Sequence, residues 1–203
     1  MLLKHVNVLE PEEQKLDPRI KRTRQLLQQA LMELMAEKSF QAISVQDIAE
    51  RATINRATFY AHFEDKYALL EYAIREMIKQ HLYRQVPEDA PYSLENMTRL
   101  ILTICEFLGE MDHRCPPPHG QLETLMEKQI KAELYETLRR WLERLPPSKS
   151  KNQPTPEQIA MITSWAIYGG AVQWSQQEQR EPARDFVQQV LPLIMAGLPS
   201  TTT

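Results

Sequence analysis

The segment from Asp112 to His119 holds the densest group of side chains that could bind a metal ion. It contains His113, His119 and Cys115, and imidazole and thiolate groups are ligands for zinc and copper. The spacing matches no established zinc finger, and three consecutive prolines restrict how closely the chain can fold around an ion. We therefore predict an ordinary loop without metal or other cofactor. A metal site and a thiol sensor at Cys115 remain the alternatives.

The sequence lacks the short motifs of common catalytic sites. It contains no His-Glu-x-x-His, no Gly-x-Ser-x-Gly, no Cys-x-x-Cys and no glycine-rich phosphate loop. With five glycines and five histidines in 203 residues, few catalytic arrangements are possible. We predict that the protein is not an enzyme.

Composition favours a soluble globular protein. Apolar residues make up 42% of the chain and charged residues 25%. Polar residues interrupt the N-terminus at once, and the apolar runs are far shorter than the roughly 20 residues of a membrane helix. Only two cysteines are present, which fits a reducing compartment. The expected location is the cytoplasm.

Positive charge is concentrated near the N-terminus. The stretch from Arg19 to Phe63 has seven basic and four acidic residues, a net +3 within a chain of net −3. A basic module joined to an acidic remainder suggests contact with nucleic acid. The alternative is a helix face that is merely solvated.

Between clusters of proline, apolar residues recur at three- and four-residue steps, which predicts an all-α protein. We expect a flexible tail over 1–17, a three-helix domain over 18–64 and a helical domain over 65–203, with a mobile loop near 146–156. The predicted helices cover 19–38, 45–52, 55–63, 66–85, 93–111, 120–145, 156–178 and 183–197.

The first domain has the pattern of a helix-turn-helix. Ser44, followed three residues later by Asp47, is close to a capping box and predicts the start of one short helix. Asn55 predicts the start of the next, after only Thr53-Ile54. Two short helices packed on a longer one form this motif, although an ordinary three-helix corner would show a similar pattern.

The residues of this region resemble the DNA-binding domain of the tetracycline-repressor (TetR) family. The likeness rests on Ser44-Val45-Gln46-Asp47-Ile48-Ala49, on Thr58-Phe59-Tyr60-Ala61-His62-Phe63 and on Lys66, and runs from about Arg19 to Leu82. The family usually has glycine in the turn, where this chain has Thr53. The turn is therefore either strained at Thr53 or of another geometry.

The resemblance implies that the helix after Asn55 enters the major groove of DNA. There Arg56 could bind a guanine edge, and Ala57 or Thr58 could pack on a thymine methyl group. Tyr60, His62 and Lys66 match positions that contact the backbone or the rim of the groove. The residues expected to contact DNA are Ser44, Asn55, Arg56, Ala57, Thr58, Tyr60, His62 and Lys66.

One short recognition helix reads too few base pairs, so we expect a homodimer on a palindromic operator. The last two helices are the candidate interface, through Ile162, Ala166, Gly169, Gln173, Val187, Val190, Leu191 and Ile194. The alternative is that these residues face the core of their own chain.

The resemblance also implies a small-molecule effector that binds among the middle helices. Its candidate contacts are Met97, Ile101, Cys105, Met126, Tyr135, Trp165 and Tyr168. The predicted function is a ligand-responsive dimeric regulator, most commonly a repressor in this family, located in the cytoplasm with the nucleoid. The alternative is a protein of the same fold that has lost DNA recognition and acts through protein contacts.

Overall fold

The computed structural model describes residues 17–114, 120–146 and 154–198, and in these ranges the regular structure is α-helical. Most of the predicted tail and most of the predicted loops at 112–119 and 146–156 lie outside them. The helices are α1 (Pro18–Glu37), α2 (Val45–Arg51), α3 (Arg56–His62), α4 (Lys66–Gln85), α5 (Leu94–Arg114), α6 (Gly120–Glu143), α7 (Pro156–Ser175) and α8 (Ala183–Ala196), with a 3₁₀ turn at Phe40–Ala42. The all-α prediction is confirmed.

Side-chain caps fix where several helices begin. Asp17 accepts a hydrogen bond from the Arg19 amide at 2.8 Å, just before the proline that opens α1. Thr155 and Gln158 form a reciprocal capping box at α7, again with proline in the first turn. Such caps satisfy amides that have no partner inside the helix, so local sequence sets these boundaries.

The chain divides into two compact units, one ending at Ala73 and the other beginning at Ile74. The division falls inside α4, and the first turns of this helix belong with the N-terminal unit. The domain boundary expected between residues 64 and 65 stays a prediction and lies nine residues before this division. A continuous helix shows no break in hydrophobic pattern at that point, which is why the sequence does not mark it.

The first unit packs α1, α2 and α3 around a small apolar core. Its fully buried side chains include Leu27 and Leu31 of α1, Ile48 of α2 and Phe59 of α3. On the outer side, Arg51 donates two hydrogen bonds to the carboxylate of Glu37, at 2.9 and 2.8 Å. This paired contact joins α2 to α1 and fixes the platform on which α3 rests.

The turn between α2 and α3 has the strained geometry that was one of the two expectations. Thr53 has φ 56°, in the left-handed region that favours glycine. Its amide bonds to the Glu50 carbonyl at 3.0 Å, and the Ile54 amide bonds to the Ala49 carbonyl at 2.8 Å. These two bonds form a Schellman motif, in which the residue at this position adopts positive φ.

In the second unit, α7 packs against α5 and α6, and α8 packs against α5 and α7. The core is built from aliphatic residues of α5 and α6, such as Leu100, Ile130 and Leu134, together with Trp141. In the described part of the chain no helix is long and apolar enough to cross a membrane. The same residues contain no cluster of histidine, cysteine, aspartate and glutamate suited to a metal ion.

Candidate DNA-binding site and helix surfaces

Helix α3 presents one polar face to solvent and is held from behind by its aromatic residues. Asn55 caps it by accepting the Ala57 amide at 2.8 Å. Phe59 is completely buried, whereas the side chains of Arg56, Ala57 and Tyr60 are exposed, and those of Thr58 and His62 are half-buried. The residues expected to read bases thus lie mainly on the accessible face.

The guanidinium of Arg56 lies against Tyr60. Its Nη2 donates a hydrogen bond to the Tyr60 hydroxyl at 3.2 Å. The central carbon of the guanidinium, Cζ, lies 5.5 Å from the centre of the tyrosine ring. The tyrosine ring in turn meets the ring of Phe59 edge to face, with centres 5.5 Å apart. A core ring, a surface ring and a cation therefore lie in contact along one helix.

His62 lies near Arg24 at the end of α3. Burial, and then the positive charge of Arg24, lower the pKa of the His62 imidazole below its usual value. The ring is accordingly neutral at pH 7 and would meet DNA as a hydrogen-bonding group rather than a cation. The guanidinium of Arg24 lies over the rings of Phe63 and Tyr72, with its Cζ atom 5.7 and 5.6 Å from the ring centres. Its charge is directed to these rings.

The start of α2 is a closed network around Asp47. Its carboxylate accepts the Ser44 amide at 2.8 Å, the Ser44 hydroxyl at 2.9 Å and the Lys38 ammonium at 2.9 Å. The hydrogen bond from the Ser44 backbone and those from Lys38 and Ser44 lower the pKa of Asp47 to about 2. Ser44, expected to contact a phosphate, therefore has both its amide and its hydroxyl directed to a charged carboxylate.

Lys66 opens α4 with its ammonium group pointing into the protein. Its Nζ donates to the backbone carbonyls of Phe40, Gln41 and Ile43, at 3.0, 3.1 and 2.7 Å. The same atom lies 4.8 Å from the centre of the Phe40 ring. An ammonium group has three N–H donors, and here each has an acceptor. This geometry differs from the phosphate contact that the resemblance implies.

Three basic side chains at the start of α1 remain on the surface: Arg19, Lys21 and Arg22 are all exposed. Together with Arg56 they are exposed cationic groups in the described part of this unit, where they are available for phosphate or base contact. These three α1 residues are not among the residues expected from sequence to contact DNA. Their clustering in the first turns of an amphipathic helix is the signal that could have included them.

Helix α7 carries an apolar face that points to solvent. Ile162 is 65% exposed and Trp165 is 59% exposed, and Ala166, Gly169 and Gln173 are exposed beside them. A Cβ added at Gly169 would meet no atom within 4 Å. The opposite face of α7, including Ile167 and Ala171, is buried. The residues chosen from sequence as an interface on α7 therefore lie outside the core of their own chain.

Two residues on these helices lie in surroundings that differ from those expected. Val187, expected at the dimer interface, is 1% exposed because it faces the core from α8. Trp165, expected in a ligand site, lies on the solvent face of α7, where its ring contacts the Lys131 ammonium at 3.6 Å. On α8, Leu193 is instead the most exposed apolar side chain, and Val190, Leu191 and Ile194 are half-buried.

The remaining residues expected to bind an effector are divided between environments. Met97, Ile101 and Cys105 lie one turn apart on α5 and are fully buried. Met126, Tyr135 and Tyr168 are half-buried on α6 and α7. Burial, with a smaller effect of Glu106, raises the pKa of the Cys105 thiol to about 12, so this cysteine is a core residue and not a reactive thiolate.

A buried carboxylate lies on the inner face of α6, and the sequence analysis missed it. Glu133 is 2% exposed and accepts a hydrogen bond from the Tyr83 hydroxyl at 3.4 Å. Lys79 lies 3.9 Å from its other oxygen, and Arg140 donates to Tyr83 at 3.0 Å. Burial raises the pKa of Glu133 to about 7, against the lowering effect of the nearby cations. A glutamate at a core-facing helical position is the signal that could have found it.

Comparison with known proteins gives matches to bacterial regulators. Residues 27–73 match the family of bacterial regulatory proteins of the tetR family. An uncharacterized HTH-type transcriptional regulator of Bacillus subtilis, YxbF, is 30% identical over 103 residues, which are 49% of this chain and 27% of that protein. The chain thus matches little more than a quarter of the length of this curated relative.

Two solved structures share the fold. FadR of Bacillus subtilis, in complex with stearoyl-CoA, superposes with a TM-score of 0.51 and 19% identity, over 86% of this chain and 99% of its own. A transcriptional regulator of Pseudomonas aeruginosa PAO1 superposes with a TM-score of 0.50 and 18% identity. The match covers 91% of this chain and 92% of that regulator. The matched family and the curated relative are transcriptional regulators and not enzymes. The match to bacterial regulatory proteins of the tetR family covers residues 27–73 and falls within the first unit.

Proposed function

We propose that this protein is a dimeric transcriptional repressor that binds a palindromic operator through α3 and is released by a small-molecule effector. It works on chromosomal DNA in the cytoplasm. The observation that carries the proposal is the exposed face of α3, where Arg56, Ala57 and Tyr60 are presented on a helix anchored by Phe59. A helix of this kind reads base edges in the major groove.

Selection of bound duplexes from a random pool tests DNA recognition. We expect an inverted repeat with half-sites about one helical turn apart, since two copies of α3 would read successive major grooves. Arg56→Ala should weaken binding by about 1–3 kcal/mol for each half-site and relax the preference at one base pair of each. Arg99→Ala, the same change on the surface of α5, is the matched control. A pool without any enriched sequence would contradict the proposal.

The dimer is supported by the apolar face of α7, which is otherwise costly to expose. Large exposed apolar patches on soluble proteins commonly mark sites of association. Small residues at Ala166 and Gly169 would allow a partner helix to approach closely, because nothing occupies the space above Gly169. Leu193 of α8, 76% exposed, would extend the same apolar surface if α7 and α8 pair with their copies.

Sedimentation of a charge-inserting variant tests the dimer. Ile162→Glu should shift the protein to monomer at micromolar concentration, because an unpaired carboxylate buried in an interface costs several kcal/mol. Met32→Glu makes a similar change at an exposed apolar residue of α1 and should leave the dimer intact. A wild-type protein that sediments only as monomer would refute this part of the proposal.

The effector is proposed to bind within the second unit, where helical bundles form largely apolar ligand sites. Buried polar groups on α6, namely Gln129, Glu133 and Thr137, could supply its polar contacts. Stearoyl-CoA is the first compound to test, because it is bound in the Bacillus subtilis FadR structure that shares this fold. Loss of operator binding on its addition would support acyl-CoA as the effector class, and unchanged binding would contradict that class.

A further inference from the structure

Arg56 and Tyr60 form a pair before any DNA is present. They are four residues apart, so they face the same way on α3. The guanidinium both donates to the tyrosine hydroxyl at 3.2 Å and stacks over its ring at 5.5 Å. Two kinds of contact to one partner restrict the side chain more than either contact would alone.

The tyrosine ring is itself held by the core. Its edge-to-face contact with Phe59 joins ring centres 5.5 Å apart at an angle of 82°. Phe59 is completely buried and also contacts the ring of Phe63, with centres 6.0 Å apart. The direction of the Tyr60 ring therefore follows from core packing, although the ring lies at the surface.

Arg56 retains enough donors to read a base while it is held in this way. A guanidinium has five N–H donors, and Tyr60 takes one of them. Bidentate recognition of guanine needs two. An arginine that is already ordered loses less conformational entropy on binding, which favours the correct base over its competitors.

From this geometry we infer that Tyr60 is a positioning residue for sequence recognition, which holds the Arg56 guanidinium in the orientation that reads a guanine edge. The inference rests on the proposed function, since it names the group that sets specificity at the proposed DNA-reading face. It differs from the role implied by the family resemblance, in which Tyr60 contacts the DNA backbone or the rim of the groove. A backbone contact affects affinity but carries no sequence information directly.

The test measures discrimination rather than affinity. The probes are the duplex selected by the wild-type protein and the same duplex with the Arg56-dependent base pair exchanged. The ratio of the two dissociation constants is measured for wild type, Tyr60→Phe, Arg56→Ala and the double variant. Tyr60→Phe keeps the ring and its contact with Phe59, so the fold of α3 is retained. Tyr67→Phe removes the hydroxyl of another exposed tyrosine of this unit and is the matched control.

We expect Tyr60→Phe to lower the discrimination ratio about two- to tenfold, the range of one lost hydrogen bond. In the Arg56→Ala background the same change should have no further effect on the ratio, because the two residues act together. Tyr67→Phe should leave the ratio unchanged. Equal weakening of both duplexes by Tyr60→Phe, with the ratio preserved, would overturn the inference and favour a backbone contact. Failure of the proposed function would look different, since the wild-type protein would then select no duplex.

Discussion

Replacing Lys66 by methionine separates a structural role of its ammonium group from a phosphate-binding role. Methionine keeps much of the unbranched apolar stem but removes the charge and all three donors. The Nζ hydrogen bonds to three carbonyls at 2.7 to 3.1 Å, and hydrogen bonds that involve a charged group contribute about 1.5–3 kcal/mol each when buried. Because the site is only partly buried and water can replace some of these bonds, we expect a loss of about 2–4 kcal/mol in the free energy of unfolding.

The location of these carbonyls explains why the loss would matter for function. Residues 40–43 lead directly into Ser44, the cap of α2, and Lys66 is the first residue of α4. The ammonium group therefore ties the entry to the helix-turn-helix to the helix that follows it. We expect weaker operator binding in Lys66→Met through misplaced helices, with every phosphate contact retained in the fraction that folds.

Salt dependence of binding distinguishes the two roles. A lost phosphate contact lowers the slope of log affinity against log salt concentration by about 0.9, and a dimer would lose two such contacts. We expect the slope of Lys66→Met to equal that of wild type, in fluorescence anisotropy between roughly 50 and 200 mM salt. Lys21→Met changes an exposed residue of α1, and its unfolding free energy should stay within about 0.5 kcal/mol of the wild-type value. A lower slope with unchanged stability in Lys66→Met would refute the structural role.

Two further changes test the turn and the buried carboxylate. Thr53→Gly should raise the unfolding free energy by about 1 kcal/mol, because left-handed φ strains a residue with a Cβ. Thr53→Ala retains a Cβ, so its unfolding free energy should rise by less. Equal denaturant midpoints for wild type and both variants would contradict this account. Glu133 has a pKa raised from 4.5 to about 7. Between these two values the folded state holds a proton that the unfolded chain releases. The unfolding free energy should therefore fall as pH rises from 4.5 to about 7. Glu133→Gln should remove this fall. If the substitution leaves the pH profile of stability unaltered, protonation of Glu133 is not its cause.

Helix boundaries were predictable because the signals that set them are local. Ser44 and Asn55 each bond to backbone amides two or three residues away, and the two short helices begin directly after them. The unusual residue in the turn was equally visible, since the missing glycine indicated either strain at Thr53 or a turn of another geometry. In both cases the physical cause lies within a few residues of its effect.

Partners of the basic residues were not predictable because they are distant in sequence. Lys66 reaches carbonyls 23 to 26 residues earlier, and Arg51 pairs with a glutamate 14 residues earlier. Val187 illustrates a related limit. Its helix is amphipathic, but the pattern does not say whether the apolar stripe faces the core of its own chain or a second copy. Trp165 shows the same limit, because an aromatic residue suits a ligand site and an exposed interface equally well.

The internal pairing of basic residues changes what the charge of the first unit means for DNA binding. Lys38, Arg51 and Lys66 are directed to acidic or carbonyl groups, and Arg24 is directed to aromatic rings. The net charge of the region still draws DNA over a distance, since long-range attraction depends on the sum of charges. Direct contacts, however, depend on which groups reach the surface. The salt-dependent part of the DNA affinity should therefore come mainly from the basic residues at the start of α1. Sequence preference should come from Arg56 and from Tyr60, which holds it.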